Sequence, residues 1–404
     1  MSQQSIPYDL IIIGAGAAGL MAAQEAARFG LSVLVLEGKP SAGGKILLSG
    51  GGRCNATNAV VTEKDFNSGC PRTVRHVLEH FPPDKAVRFF EERGAPLKLE
   101  EDGKYFSSAG DAGVILRALL RAAEDAGAWI EYQRRVESVR CHDGLFRVAG
   151  NRFASEGRSL LIATGGLSYP ATGSDGFGHA LAKQFGHRIV PLIPALTSFK
   201  TNDALWRSLS GMAVPVRLTL WAGGRKVIEK EGPLLFTHEG FSGPVVLDMS
   251  RHWGVAQMEK DVGITIDFLP QGPELHFKRR HLKNAFAEVL PQRLVEVLLK
   301  KTQINGTKQY FNMRAAQRDM LDKILRSCPL PVSGVMGWGK AEVTAGGVDL
   351  NELKGASLES KPQSGLFFTG EVLDVDGRVG GFNLHWAWAS GVAAASGVLK
   401  RKGK

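Results

Sequence analysis

A short apolar run, Asp9 to Ile13 (DLIII), ends directly in Gly14-Ala15-Gly16-Ala17-Ala18-Gly19, and a helical pattern follows from Leu20 to Phe29. This order of strand, glycine turn and helix constrains the fold more than any other feature of the chain. It brings a pyrophosphate onto the backbone N–H groups at a helix N-terminus: Gly14 makes the turn, Gly16 admits the phosphate, Ala17 and Ala18 open the helix, and Gly19 lets helix and strand pack closely. A second strand, Leu31 to Leu36, ends in Glu37-Gly38, about 20 residues past the last glycine. A carboxylate there accepts hydrogen bonds from ribose hydroxyls and repels a 2′-phosphate, so FAD or NAD fits and NADP does not.

Later segments favour FAD. A strand from Arg158 to Ala163 runs into Thr164-Gly165-Gly166, the turn that returns a chain past the cofactor in flavoproteins. Near the end, Gly365 to Thr369 stops at Gly370-Glu371, and Gly380-Gly381-Phe382-Asn383 opens a long helix of small residues. A carboxylate at a strand end can hold ribityl hydroxyls, and a helix N-terminus can face the flavin ring where negative charge collects on reduction. No second strand–GxGxxG–helix unit occurs, so a separate nicotinamide domain is missing and NADH or NADPH is expected only as a transient electron donor.

The loop "KILLSGGGRCNATN" at 45 to 58 sets three glycines before Arg53, Cys54 and Asn55. Three glycines in a row are costly on folding unless the backbone needs φ > 0 or a close neighbour. Lys45, Ser49, Gly50, Gly51 and Gly52 therefore read as cofactor contacts, with Arg53, Cys54 and Asn55 facing the ring or the substrate. Cys54 is a candidate proton donor, although a free cysteine is as often an inert filler. His238 in FTHEGFSGP is a candidate second acid or phosphate ligand, with a structural histidine as the competing reading. Ser242 and Pro244 read as caps of a following helix. Thr344 with Gly346-Gly347 reads as a further loop against cofactor or substrate.

The 404 residues, 44% apolar, suit two or three domains with a full core. Four cysteines without metal-ligand spacing, Cys54, Cys70, Cys141 and Cys328, argue against a zinc site and a disulfide framework. The opening MSQQSIPYD lacks the basic and apolar parts of a secretory leader, and no run of about 18 apolar residues exists, so a cytoplasmic protein without membrane spans is expected. The net charge of +10 is local: Pro273 to Leu330 holds twelve Lys and Arg against five Asp and Glu, and the tail Lys400 to Lys404 adds four more. Lys278, Arg279, Arg280, Lys283, Lys300 and Lys301 are the candidate contacts for a polyanion; a solvated basic face is the alternative.

Between the two nucleotide-binding halves, short strands with Gly and Pro punctuation give way to a helical, basic segment. The expected fold class is α/β, a Rossmann-like FAD-binding domain of the two-dinucleotide flavoprotein type built from both chain ends, carrying an inserted β-barrel-like module and a small helical module. The boundaries read 1–190 and 333–404 for the FAD-binding domain, 191–272 for the β-rich module and 273–332 for the helical one.

Five blocks in order, SGGGRCNATN, GGLSYPATGSDGFG, FTHEGFSGP, AEVTAGGV and GLFFTGEVLDVDGRVGGFNLHWAWASG, resemble the BaiN/RdsA family of flavoproteins, the YhiN-like group, over essentially the whole chain. The resemblance implies bound FAD at the first glycine turn, Glu37, the Ser49 to Asn55 loop, Gly165-Gly166, Glu371 and the Gly380 to Asn383 turn. His385 stands where relatives carry Gln. The resemblance also implies an oxidoreductase that reduces an activated C=C bond, uridine to dihydrouridine in large-subunit ribosomal RNA. A small-molecule enzyme, either an enone or bile-acid reductase or an amine oxidase, is the alternative, and an FAD-bound assembly protein on the ribosome is a third. The oligomeric state is not legible.

Overall fold

The computed structural model describes residues 6–100, 102–272 and 280–403. The chain forms two compact units: residues up to Ile193 join Glu342 onward in one, and Pro194–Ala341 make the other.

The first unit is built on a seven-stranded sheet. Trp129–Glu131, Val33–Leu36, Tyr8–Ile13 and Phe153–Ile162 lie side by side in parallel, and Leu366–Phe368 adds a fifth parallel strand against Phe153–Ile162. Ile11 sits between Leu34 and Leu160, and Leu160 pairs in turn with Leu366. Where these strands pair, at Leu10–Ile13, Val33–Leu36, Leu160–Ile162 and Leu366–Phe368, they are apolar and buried, as in a sheet covered on both faces. Both chain ends therefore contribute strands to one sheet, and the α/β fold class follows. Against this sheet the helix Ala17–Ala27 packs on the C-terminal helix Phe382–Lys402. Small residues permit the contact: a Cβ on Gly391 would lie 2.7 Å from the Ala18 carbonyl oxygen, while Gly19 lets the helix pack close to the turn, where its Cβ would lie 2.0 Å from the Gly14 carbonyl oxygen.

The second unit is an antiparallel sheet of seven strands. Its long hairpin, Ala213–Ala222 with Arg225–Phe236, turns through Gly223-Gly224, both at positive φ (54° and 73°), which matches the twist of a two-residue hairpin. The β-barrel-like expectation is corrected here: the strand path is open, with Cys328–Leu330 and Gly334–Val335 at its edges and no closing pair among the described residues. The helices Leu282–Phe286, Gln292–Thr302 and Ala315–Arg326 share one apolar core with this sheet, in which Phe286, Leu294 and Leu321 join Phe268 and Ile266. Short strands and amphipathic helices that each bury one face need a common partner, so the β-rich and helical stretches consolidate together. Trp206, wholly buried, stacks between Phe236 and Phe268 at 5.8 and 5.9 Å.

Candidate functional site

The glycine turn carries out the geometry its spacing implies. Gly14 adopts φ +105°, and a Cβ there would lie 2.6 Å from the Ala163 carbonyl oxygen, so the turn presses against the strand running into Thr164. A Cβ on Gly16 would meet nothing within 4 Å, and the helix Ala17–Ala27 has no side-chain cap. Uncapped first-turn amides facing open room are the donors an anion site is built from. Glu37 is fixed by two backbone donors, Ala15 N–H to Oε2 and Lys39 N–H to Oε1, each at 2.8 Å. Its remaining lone pairs stay available to hydroxyl donors. Gly38 lies against Arg135, and the Thr164 hydroxyl is buried without a partner among the described residues.

A polar cluster joins four segments of this unit. Glu371 pairs with Lys45, accepts from the Ser168 hydroxyl at 2.5 Å and accepts from the Thr344 amide at 3.0 Å. Lys45 Nζ also donates to Ser168 Oγ at 3.0 Å, and Thr344 Oγ1 accepts from the amides of Leu167 and Ser168 at 2.8 and 3.1 Å. Burial would raise the Glu371 carboxyl, but the Lys45 ammonium and the surrounding donors override it and hold the group below the usual carboxylate range. Gly166 must be glycine, since a Cβ would stand 2.3 Å from Thr344 Oγ1. Ser168 went unnoticed in the sequence; its only signal was its place in the GGLSYPATG block. Thr344 lies in the strand Val343–Val348, so the loop reading of that motif is corrected. Gly346 and Gly347 serve close packing there, since a Cβ on each would come within 2.2 Å of Pro191 O and 2.6 Å of Val372 O.

The triple-glycine loop is sharply turned. Gly50, Gly51 and Gly52 take φ of 56°, 66° and 86°, and Cys54 follows at 57°, a region costly for a residue with a side chain. The following strand, Asn55–Asn58, is laced residue by residue to the C-terminal segment. With its amide oxygen turned toward the Gly381 N–H, Asn55 accepts at 3.0 Å and donates to Thr57 O at 3.1 Å. Ala56 O accepts from Trp388 Nε1 at 2.9 Å, Thr57 Oγ1 lies 2.8 Å from His385 Nδ1, and Asn58 Nδ2 donates to Gly380 O at 3.0 Å. The NATN residues thus anchor the loop to the start of the long helix. His385 is wholly buried, and desolvation pushes its imidazole down to about 4, so it is neutral here. A neutral imidazole can replace an amide as a hydrogen-bonding core group.

Arg53 projects from this loop, half-exposed, with its guanidinium 3.9 Å above the Phe106 ring and NH1 2.7 Å from Glu100. Phe106, in the strand Lys104–Ser107 that runs antiparallel to Asn55–Asn58, pairs with Asn55, and a Cβ on Gly50 would lie 2.9 Å from its ring. Cys54, in contrast, has no exposed surface; burial pushes its thiol up to about 12, so it keeps its proton at neutral pH. Ser49 Oγ donates to Ile46 O at 2.8 Å, which closes the helix before the glycines. Gly370, at φ +75°, is held by Ser390 and Trp386 of the long helix. Gly380 and Gly381 are at 138° and 87°. Asn383 brackets Gly377, donating at 2.9 Å and accepting at 2.8 Å, while Phe382 packs edge-on to Phe66 in the core.

His238 belongs to the second unit, where it is exposed and its carbonyl accepts from Arg207 Nε at 2.6 Å. Ser242 Oγ accepts from Ser198 Oγ, and Pro244 occupies the first turn of the helix Pro244–Ala256. Lys278 and Arg279 lie outside the described residues. Arg280 pairs with Glu288, and Lys301 pairs with Asp203 at 2.6 Å while lying 4.9 Å over the Trp206 ring. Lys283 and Lys300 are exposed without an ion pair among the described residues. Among the described residues no His, Cys, Asp and Glu group is arranged to hold a metal ion, and no helix is long and apolar enough to cross a membrane.

Residues 8–397 match the family described as HI0933-like protein Rossmann domain. The chain belongs to this family. It is 33% identical to a ribosomal RNA dihydrouridine synthase of Haemophilus influenzae over 99% of this chain and 100% of that one. It is 31% identical to a 3-dehydro-bile acid delta(4,6)-reductase of Clostridium scindens, over 96% and 98% of the two chains. Among solved structures, 3-ketosteroid-delta4-(5alpha)-dehydrogenase of Rhodococcus jostii RHA1 superposes with a TM-score of 0.50 at 16% identity, covering 98% of each chain, and shows a shared fold. Of these two relatives, one is named for ribosomal RNA and one for a bile acid.

Proposed function

We propose that this HI0933-like chain is an FAD-dependent reductase of a C=C bond conjugated to a carbonyl, and that its substrate is a uridine of large-subunit ribosomal RNA. The observation that carries the proposal is the lacing of Asn55–Asn58 to the Gly380–His385 segment, which sets the glycine loop and Arg53 against the helix start. The first glycine turn with Ala17 and Ala18 would hold the pyrophosphate, Glu37 the ribose, and Lys45, Glu371 and the loop glycines the remainder of FAD. Bound FAD supplies the hydride, with NADH or NADPH as a transient donor. Arg53, pre-oriented by Phe106 and Glu100, offers its remaining N–H groups to the substrate carbonyl and stabilises the negative charge that develops there. Cys54 holds a proton at neutral pH, as a donor must, but a substrate reaches it only by entering the loop. Turnover that survives Cys54→Ala would leave it as packing.

The local excess of positive charge in the second unit supports RNA over a metabolite, which has no need of it. The bile-acid relative, of near-full coverage, supports the second reading, a small-molecule enone reductase, whose substrate class shares the conjugated carbonyl. The test is anaerobic: reduce the purified flavoprotein, add large-subunit RNA from cells lacking the gene, and follow flavin reoxidation with the mass of RNA fragments. Reoxidation matched by a gain of two hydrogens on one uridine is expected. A flavin that stays reduced beside unmodified RNA would overturn the RNA reading.

A further inference from the structure

In the second unit one aromatic side chain is held rigidly outward. Phe311 is 64% exposed, in the turn Tyr310–Asn312. The turn is fastened from below: Met313, buried, donates its amide to Tyr310 O at 3.1 Å, and Asn312 N–H donates to Gln309 O at 3.0 Å. From the side, Arg318 donates to Phe311 O at 3.0 Å with its guanidinium 5.0 Å over the Tyr310 ring. The Tyr310 and Phe311 rings meet edge to face at 6.3 Å. Solvent exposure of a large apolar ring on a fastened backbone gains nothing for folding, because the ring stays in water.

Basic residues flank this turn along the chain and on the segment bridged to it. The bridge between His281 and Gln309, with Leu282 N–H to Lys308 O at 3.0 Å and Lys283 N–H to Gly306 O at 3.1 Å, joins the segment carrying Lys283 to the one carrying Lys308, just before Phe311. Arg314 follows three residues after it. Lys283, Lys308 and Arg314 are exposed and form no ion pair among the described residues. From Arg280 to Arg326 there are ten Lys and Arg against four Asp and Glu. Three of those four acids are engaged by a basic residue of the same stretch: Glu288 by Arg280, Asp319 by Lys323 and Asp322 by Arg326. The positive charge beside Phe311 is therefore left for an external anion.

We propose that Phe311 is a stacking platform for an unpaired base of single-stranded RNA, whose phosphates are met by Lys283, Lys308 and Arg314. The inference rests on the RNA reading of the proposed function and adds the element that engages the strand. A single strand fits better than a duplex, because only unpaired bases offer a face to an aromatic ring. Positive charge of this density argues against an apolar protein partner, whose burial of unpaired cations would be costly.

The experiment uses full-length, flavin-loaded protein and a fluorescein-labelled oligouridylate of about 12 nucleotides, with binding followed by anisotropy over a range of KCl. Phe311→Ala is expected to weaken binding roughly 5- to 150-fold at fixed salt without changing the salt slope, because it removes one stacked base. Phe311→Trp should bind at least as well as wild type. Lys308→Glu combined with Arg314→Glu should lower the salt slope. Unchanged flavin absorbance and circular dichroism verify that each variant is folded. Phe311→Ala that binds like wild type overturns the platform, as does wild type that does not bind at all. Binding through Phe311 by an enzyme that adds no hydrogen to ribosomal RNA would sink the reductase reading and leave the platform standing. Reduced RNA with unaltered Phe311→Ala binding would do the reverse.

Discussion

Thr344→Val is the sharpest probe of the polar cluster at Glu371. The substitution exchanges one oxygen for a methyl group of similar shape at a wholly buried position. That oxygen is the acceptor for two amides, Leu167 at 2.8 Å and Ser168 at 3.1 Å. A buried donor deprived of its acceptor costs about 1–3 kcal/mol, and Leu167, being only partly buried, recovers some of that from water; the two together come to about 2–4 kcal/mol. At tenfold per 1.4 kcal/mol, that is a loss of about 30- to 700-fold in the closing equilibrium of the 165–168 turn. Native-state hydrogen exchange at the Leu167 and Ser168 amides reads this locally, independent of how the two units unfold. Thr344→Ser is the control, because it keeps the oxygen and forfeits only the methyl, about 1 kcal/mol. Flavin affinity should fall with Thr344→Val, since Ser168 loses its register against Glu371. Protection within about threefold of wild type in Thr344→Val, a change below 1 kcal/mol, would refute the claim that this hydroxyl holds the turn.

Other expectations concern single anchors. Asn55→Ala should lower stability by about 1–3 kcal/mol by orphaning the Gly381 N–H, and Asn55→Asp should recover only part of it, because a carboxylate still accepts from Gly381 N–H but cannot donate to Thr57 O; thermal unfolding checks both. His385 has its folded pKa depressed from 6.5 to about 4, so its contribution is fully present above pH 6.5 and is lost as pH falls toward 4. His385→Gln should flatten the stability loss over that window by up to roughly 1.4 kcal/mol per pH unit in urea titrations at successive pH values. Lys301→Ala should cost stability, about 0.5–2 kcal/mol, through its links to Asp203 and Trp206, and leave RNA binding alone. Lys300→Ala, at a position exposed and without an ion pair among the described residues, should do the opposite and lower the salt slope for single-stranded RNA by about 0.7.

The nucleotide-binding half was legible because its constraints are local. A strand, a turn at positive φ and a helix packed so close to the turn that a Cβ on Gly19 would lie 2.0 Å from Gly14 O each demand a residue type at a fixed spacing. The triple glycine likewise announced left-handed backbone, and Gly50 to Gly52 adopt it. Glu371 was readable as a carboxylate at a strand end.

What its neighbours would be was not readable, because hydrogen-bond partners more than a hundred residues apart leave no periodicity. Lys45 meets Glu371, Thr344 meets Ser168, and Asn55 meets Gly381 only when the two chain ends share one sheet. Sequence also expected a barrel where the strands form an open sheet, since strand count and length do not specify whether the edges meet. Lys300 and Lys301 are identical letters in one basic run, yet one faces water and the other is spent on Asp203. Composition places the charge on the chain, and only tertiary packing decides which charges remain free for a partner.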